Sequence, residues 1–160
     1  MTSVKWLDRI EAIEEPFQGY QMLGAYRYSQ EKDESGGPVT FMKVRALMAP
    51  PGVPDFLTRT RLVEAGAVPL SGRAWAGRTG ISRVEVSTDR WFFMVGCATG
   101  GGGLALRMAR VVLRLGSLPG NYTLCVRATD TEGNARPVTQ TWNYHGVGNN
   151  MVQRVDVVVE

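Results

Sequence analysis

Two cysteines and one histidine are all that 160 residues contain of the side chains that most often ligate transition metals or act as soft nucleophiles. Cys97 and Cys125 are too few for a disulfide scaffold and too far apart for a structural zinc site, which takes four ligands. Buried, inert thiols are expected at both positions. No apolar run approaches the ~20 residues of a membrane-spanning helix, which excludes a helical span. The start, Met1-Thr2-Ser3-Val4-Lys5-Trp6-Leu7-Asp8-Arg9, mixes charges of both signs and has no apolar stretch of signal-peptide length, so nothing in it directs export. Excess charge is small as well. The net +3 is spread along the chain, whereas a nucleic-acid binder concentrates its bases on one face or segment. No nucleic-acid partner is expected.

What remains is the composition of one soluble domain, 44% hydrophobic and 21% charged, long enough to bury a core without staples. Helical periodicity is scarce, while alternation with period two recurs between turn residues. In Tyr122-Thr123-Leu124-Cys125-Val126-Arg127-Ala128, the even positions from Tyr122 to Ala128 share one face, and Thr123, Cys125 and Arg127 share a wetter one. Turn chemistry brackets that segment, with Pro119-Gly120-Asn121 before it and Asp130-Thr131-Glu132-Gly133-Asn134 after it. Residues 81–87 and 152–159 repeat the pattern, the latter with Val155, Val157 and Val159 opposite Arg154 and Asp156. Residues 39–49 and 68–75 are further strands, divided by Ala49-Pro50-Pro51-Gly52-Val53-Pro54, which can continue neither helix nor ladder. These spacings predict an all-β fold, an immunoglobulin-like antiparallel β-sandwich over residues 39–160. Residues 1–38, where Phe17, Tyr20, Tyr26 and Tyr28 stand among polar interruptions, predict an extended N-terminal arm.

The stretch between Asp89 and Asp130 has no acidic residue at all and contains Gly100-Gly101-Gly102-Gly103. The glycine run lacks the Gly-x-x-x-x-Gly-Lys-Ser/Thr pattern of a phosphate loop and reads as a flexible loop. Arg107, Arg110 and Arg114 stand at helical spacing, which predicts a short amphipathic helix over residues 105–115. Asn121-Tyr122-Thr123 matches the glycosylation pattern, which carries no weight without a secretory route. Trp6, Trp75, Trp91 and Trp142 read as core or interface anchors, and Arg73, Arg83, Arg127 and Arg154 as solvated outer-face residues.

A set of segments in order carries a resemblance: Ser3-Val4-Lys5-Trp6-Leu7; Gly72-Arg73-Ala74-Trp75-Ala76-Gly77 followed by Ile81-Ser82-Arg83-Val84-Glu85-Val86-Ser87-Thr88-Asp89; Cys125-Val126-Arg127-Ala128-Thr129-Asp130 with Gly133-Asn134; and Trp142-Asn143-Tyr144-His145-Gly146 with Asn149-Asn150 and Arg154-Val155. Together they resemble the C-terminal dimerisation domain of sulfite oxidase-like molybdenum-cofactor enzymes. The resemblance implies a homodimer-forming sandwich behind a catalytic domain that holds molybdopterin and the molybdenum-ligating cysteine. This chain would then hold no cofactor, metal or catalytic residue of its own and would act only with that domain. Ser3-Val4-Lys5-Trp6-Leu7 resembles the junction between the two domains, leaving Met1 as an internal start or a break in a longer frame; the compartment of the parent enzyme stays open. The departures gather after Asp89, where Arg90-Trp91-Phe92-Phe93 and the glycine run replace a hairpin turn and a tryptophan-rich strand, through local rebuilding or a shifted frame.

His145 is the one candidate site residue. By residue type alone it is a loop imidazole with ordinary hydrogen bonds. The resemblance implies more: animal sulfite oxidases carry at the matching position an arginine that helps to hold the anionic substrate, which would put His145 at the edge of the substrate pocket in an assembled enzyme. An imidazole offers less charge and fewer donors than a guanidinium, so sulfite itself is in doubt as substrate. Two other functions fit the same residues: a separately encoded subunit that completes the active site of a molybdopterin-bearing chain, and a free-standing immunoglobulin-like interaction module.

Overall fold

The computed structural model describes residues 3–89, 95–96, 99–100 and 109–160. The chain divides into two compact units, Met1–Val39 with Asn143–Val147, and Thr40–Trp142 with Gly148–Glu160.

In the first unit the expected extended arm is extended only in part. A single π-helical turn, Gln21–Ala25, leads into a two-residue antiparallel pair, β1 (Arg27–Tyr28) with β2 (Gly37–Pro38). Arg27 closes this small hairpin by donating to the carbonyls of Gly36 (2.6 Å), Met22 (3.3 Å) and Ser35. Gly36 sits at φ 53° with the Tyr28 carbonyl 2.6 Å from where a Cβ would stand, so only glycine fits the turn. Among the described residues no apolar side chain of this arm is buried; Phe17 and Tyr20 are largely exposed.

The second unit is the all-β sandwich. Its strands are β3 (Arg45–Ala49), β4 (Val53–Pro54), β5 (Arg61–Val63), β6 (Gly66–Trp75), β7 (Ile81–Ser87), β8 (Val95–Gly96), β9 (Thr99–Gly100), β10 (Ala109–Ser117), β11 (Gly120–Asp130) and β12 (Gln153–Val159). One sheet runs β3-β6-β10-β9 and the other β4-β5-β12-β11-β7-β8. Lettered in chain order, these are the A-B-E-D and C-F-G arrangements of an immunoglobulin-type sandwich, with short edge strands added. A tyrosine corner accompanies them: Tyr122, at the start of β11, donates its hydroxyl to the Leu118 carbonyl at 2.8 Å.

Two expectations need correction. The sandwich is not wholly antiparallel, because β5 pairs parallel to β12 (Arg61↔Val157 to Val63↔Val159). Pro50 and Pro51 cannot donate to the β3 ladder, so the chain leaves the first sheet after Ala49 and reaches the edge of the second through the β4–β5 hairpin. Nor does a helix span residues 105–115. Residues 109–117 form β10, in unbroken register with β6 from Ala109↔Ala74 to Ser117↔Gly66. The same residues that place arginines at helical spacing also alternate with period two from Arg110 to Leu115, and a ten-residue partner strand decides for the ladder. Strands β8, β9 and β10 therefore lie within the segment where the resemblance breaks down.

The core is the alternating set. Ala46 and Met48 of β3 and Val68, Leu70 and Ala74 of β6 meet Val84, Val86, Leu124, Val126, Ala128, Val155, Val157 and Val159 of the opposite sheet. The faces predicted for residues 122–128 and 152–159 hold, with one refinement: Cys125, on the outer face, is fully buried. Edge strand β3 does not leave its outward backbone groups to solvent. The Met48 N–H donates to Gln153 Oε1 (2.7 Å), Gln153 Nε2 donates to the Met48 carbonyl (3.2 Å), and Arg136 donates to the Ala46 carbonyl. A side-chain amide thus imitates a neighbouring strand and ties the two sheets together at the same time.

Candidate functional site

His145 lies in a tight loop of the first unit, grouped with the arm. The loop is shaped by Asn143, which is buried and whose amide closes a ring onto Val147: Oδ1 accepts from the Val147 N–H at 3.0 Å and Nδ2 donates to its carbonyl at 2.9 Å. Gly146 N–H donates to the Asn143 carbonyl (3.1 Å), and Gly146 and Gly148 take φ values of 61° and 64° that glycine tolerates best. Tyr144 N–H donates to the Ser29 carbonyl at 2.8 Å, fastening the loop to the arm. Beneath that bond the Ser29 hydroxyl is fully buried and has no hydrogen-bond partner among the described residues. The Tyr144 and His145 rings stand edge to face, 5.0 Å apart at 84°, which fixes the imidazole plane. His145 is half-buried.

The other sequence candidates are dispersed. Cys125 is enclosed on the second unit, whereas Cys97, Trp91 and residues 101–103 of the glycine run lie outside the described residues. Trp6 and Trp142, at 96% and 63% exposed, are not core anchors; Trp75 is half-buried. Arg73 and Arg154 are exposed, as expected. Arg127 is not a solvated outer-face residue. It reaches across the β11–β7 register to Glu85, which is buried, with Nη2 and Nε both on Oε2 at 3.0 and 3.2 Å, while Arg83 approaches the other oxygen at 3.5 Å. Burial of Glu85 is what draws in the second cation. The Asn121-Tyr122-Thr123 tripeptide is in β11, where Tyr122 forms the corner and Thr123 donates to Asp156 at 2.8 Å.

Two residues escaped the sequence reading. Arg136 is buried without a carboxylate, its guanidinium donating to the carbonyls of Asn150 (2.9 Å), Met151 and Ala46. Burial, helped by Arg45 nearby, lowers its pKa to about 10. Asp130, also buried, ends β11 and organises the following turn: Oδ1 accepts from the N–H groups of Glu132 (3.0 Å) and Asn134 (2.8 Å), and Oδ2 from Thr79 Oγ1 (2.7 Å) and Asn134 Nδ2 (3.0 Å). Burial pushes that carboxyl up, but the hydrogen bonds from Asn134, Thr79 and Glu132 outweigh it and hold it below the ordinary 3.8. The network borders a cavity of about 370 Å³ that Lys43, Arg78 and Phe41 also line, with the Arg78 guanidinium 3.9 Å above the Phe41 ring. Only the turn residues around Asp130 signalled any of this in the sequence.

Among the described residues no group of three or more His, Cys, Asp or Glu side chains comes together to hold a metal ion. Cys125 is sealed from any pterin-sized group, and His145 has no second ligand-type residue in its loop. These residues do not fit a molybdenum–pterin centre, and no chemical step is derived through one.

No family model matches the sequence, and no curated protein matches it. Solved structures do match. The crystal structure of the sulfane dehydrogenase SoxCD from Paracoccus pantotrophus superposes with a TM-score of 0.65 at 19% identity, over 89% of this chain and 39% of that one. An engineered protein follows at TM-score 0.40 and 13% identity, over 81% of this chain and 22% of that one, too remote to carry argument. The sandwich therefore shares its fold with part of the sulfane dehydrogenase, and the chain spans well under half of that protein's length.

Proposed function

We propose that this chain is the subunit-pairing, immunoglobulin-like domain of a sulfite oxidase-like molybdenum-cofactor oxidoreductase. Its work is structural: it forms a homodimer and presents the His145 loop to a catalytic domain or chain that holds molybdopterin, and by itself it neither binds the cofactor nor oxidises sulfur compounds. The observation that carries this reading is the superposition of nearly the whole chain on a minor part of a larger sulfur-compound dehydrogenase. The ordered segments from Ser3 to Val155 support it independently. Obligate pairs commonly bury about 2,000 Å² or more in total, so sedimentation at micromolar concentration should show dimers, and a molybdopterin-bearing partner should co-purify. A chain that stays monomeric at ten times that concentration and captures no such partner contradicts the proposal.

A second function, completion of a neighbour's active site, is favoured by the loop itself. Asn143, Gly146 and the Tyr144 ring hold His145 in one half-open orientation, more order than an idle loop requires. In the assembled enzyme, H145A should raise KM, and H145R should lower KM for sulfite above pH 7 by restoring a permanent charge. If both variants match the parent within about twofold, worth only ~0.4 kcal/mol, His145 has no substrate role.

A further inference from the structure

The β4–β5 hairpin is built as a rigid support for two residues that ought not to be exposed. Asp55 braces its tip, accepting from the Leu57 N–H at 3.3 Å, the Thr58 N–H at 3.2 Å and the Thr58 hydroxyl, while Asp55 N–H donates to the Thr60 carbonyl (2.9 Å) and Arg59 N–H to the Asp55 carbonyl (3.0 Å). Arg59 turns the chain at φ 64°. Below the tip, Arg61 fastens the hairpin to the preceding segment through the carbonyls of Pro51 (2.7 Å), Pro50 (3.3 Å) and Gly52. Asp55 and Arg61 thus spend their hydrogen bonds within the hairpin and its base, and what projects is Phe56, 88% exposed, and Leu57, 93% exposed. A preorganised turn that holds large apolar side chains in water fits a contact residue pair better than a loop of no consequence, because little ordering entropy is left to lose on binding.

The receptor for such a tip lies beside it. Thr60, at the foot of the hairpin, is also one wall of a groove of about 610 Å³ whose other walls include Tyr122, Val158, Asp89 and Asp156. The groove thus combines apolar wall with negative charge, and the hairpin combines apolar tip with the positive charge of Arg59. Asp156 uses Oδ1 to accept from Thr123, and neither its other oxygen nor the Arg59 guanidinium has a partner among the described residues. A tip and a matching groove side by side on one chain satisfy each other when two copies meet about a two-fold axis that passes between them. We propose that a second copy of this chain covers this face: each Phe56–Leu57 tip enters the partner's groove, and Arg59 of each copy meets Asp156 of the other. This rests on the dimerisation reading above and gives that interface a location.

The test is sedimentation equilibrium of the 160-residue chain and four variants, with circular-dichroism melting as the control for folding. Because Phe56 and Leu57 bury nothing in the single chain, F56S/L57S should melt with the parent, while its dimer dissociation constant rises about thirtyfold or more, the hot-spot threshold. R59D and D156R should each weaken the dimer about tenfold, and R59D/D156R should recover to within about threefold of the parent. A parent that is dimeric and stays so in F56S/L57S, or a double reversal no better than either single one, overturns this location and leaves the dimerisation reading standing. A monomeric parent overturns both.

Discussion

Replacing Arg136 with methionine should cost the sandwich about 3 kcal/mol. Burial lowers the guanidinium pKa to about 10, which corresponds to roughly 3 kcal/mol of unfavourable burial of its charge. Against that stand hydrogen bonds to three carbonyls, those of Asn150, Met151 and Ala46, at about 2 kcal/mol for each bond made by a charged donor. The bonds win by about 3 kcal/mol, and a methionine of similar length keeps the volume filled while leaving the carbonyls without a donor. For a chain of this size the loss lowers the melting temperature by roughly 6–12 °C. Urea titration followed by circular dichroism at pH 7 measures it, and hydrogen exchange localises it: amides of β3 around Ala46 to Met48 should lose protection before those of β11. R136K, which reaches fewer carbonyls, should recover less than half of the difference. If R136M unfolds within about 1 kcal/mol of the parent, the reasoning is wrong, and the burial cost of the unpaired charge equals what its hydrogen bonds return.

Asp130, held below its ordinary 3.8 by its hydrogen bonds, contributes stability that is fully present above about pH 4 and is lost as the pH falls through its lower folded value. D130N should therefore destabilise the chain at pH 7 by about 2 kcal/mol and flatten its stability profile below pH 4, and an unchanged acid limb in urea titrations would count against the Asp130 network. Y122F removes the one hydroxyl bond of the tyrosine corner, 2.8 Å to the Leu118 carbonyl, and should lower stability by about 1 kcal/mol in the same assay without altering secondary structure.

Strands β7, β11 and β12 were legible because each carries its own instruction. Val84 and Val86, Leu124 and Val126, or Val155 and Val157 mark one face every second residue, and turn residues mark the ends. Strand β10 was not, since Arg107, Arg110 and Arg114 satisfy the helical period while residues 110–115 satisfy the strand period, and only pairing with β6, some forty residues earlier, separates the two. The parallel entry of β5 was hidden for a similar reason: the prolines announced a break after Ala49 but not which edge the chain would join. For the site, the asparagines and glycines around His145 correctly signalled a loop. That the loop fastens to Ser29, more than a hundred residues away, could not be read from either segment alone.

Arg136 shows why single residues of this kind stay hidden. It occupies the segment Gly133-Asn134-Ala135-Arg136-Pro137, where an arginine ordinarily faces solvent, and none of its acceptors is a side chain that a motif could name. All three are backbone carbonyls, 14 and 15 residues ahead and 90 residues behind. Gln153 is equally plain in sequence, yet its amide takes both backbone groups of Met48, 105 residues away. Both side chains serve the outer edge of β3, the place where this sandwich would otherwise offer a ladder of unpaired groups to any passing strand. With that edge closed from within, the braced hairpin at the opposite sheet's edge, where β4 is only two residues long, offers a partner side chains rather than a long open backbone ladder. The self-association proposed for Phe56 and Leu57 would be selective, whereas association through an open β3 would run on into aggregates, and opening that edge with R136M or a Gln153 substitution should produce species larger than those of the parent in sedimentation velocity.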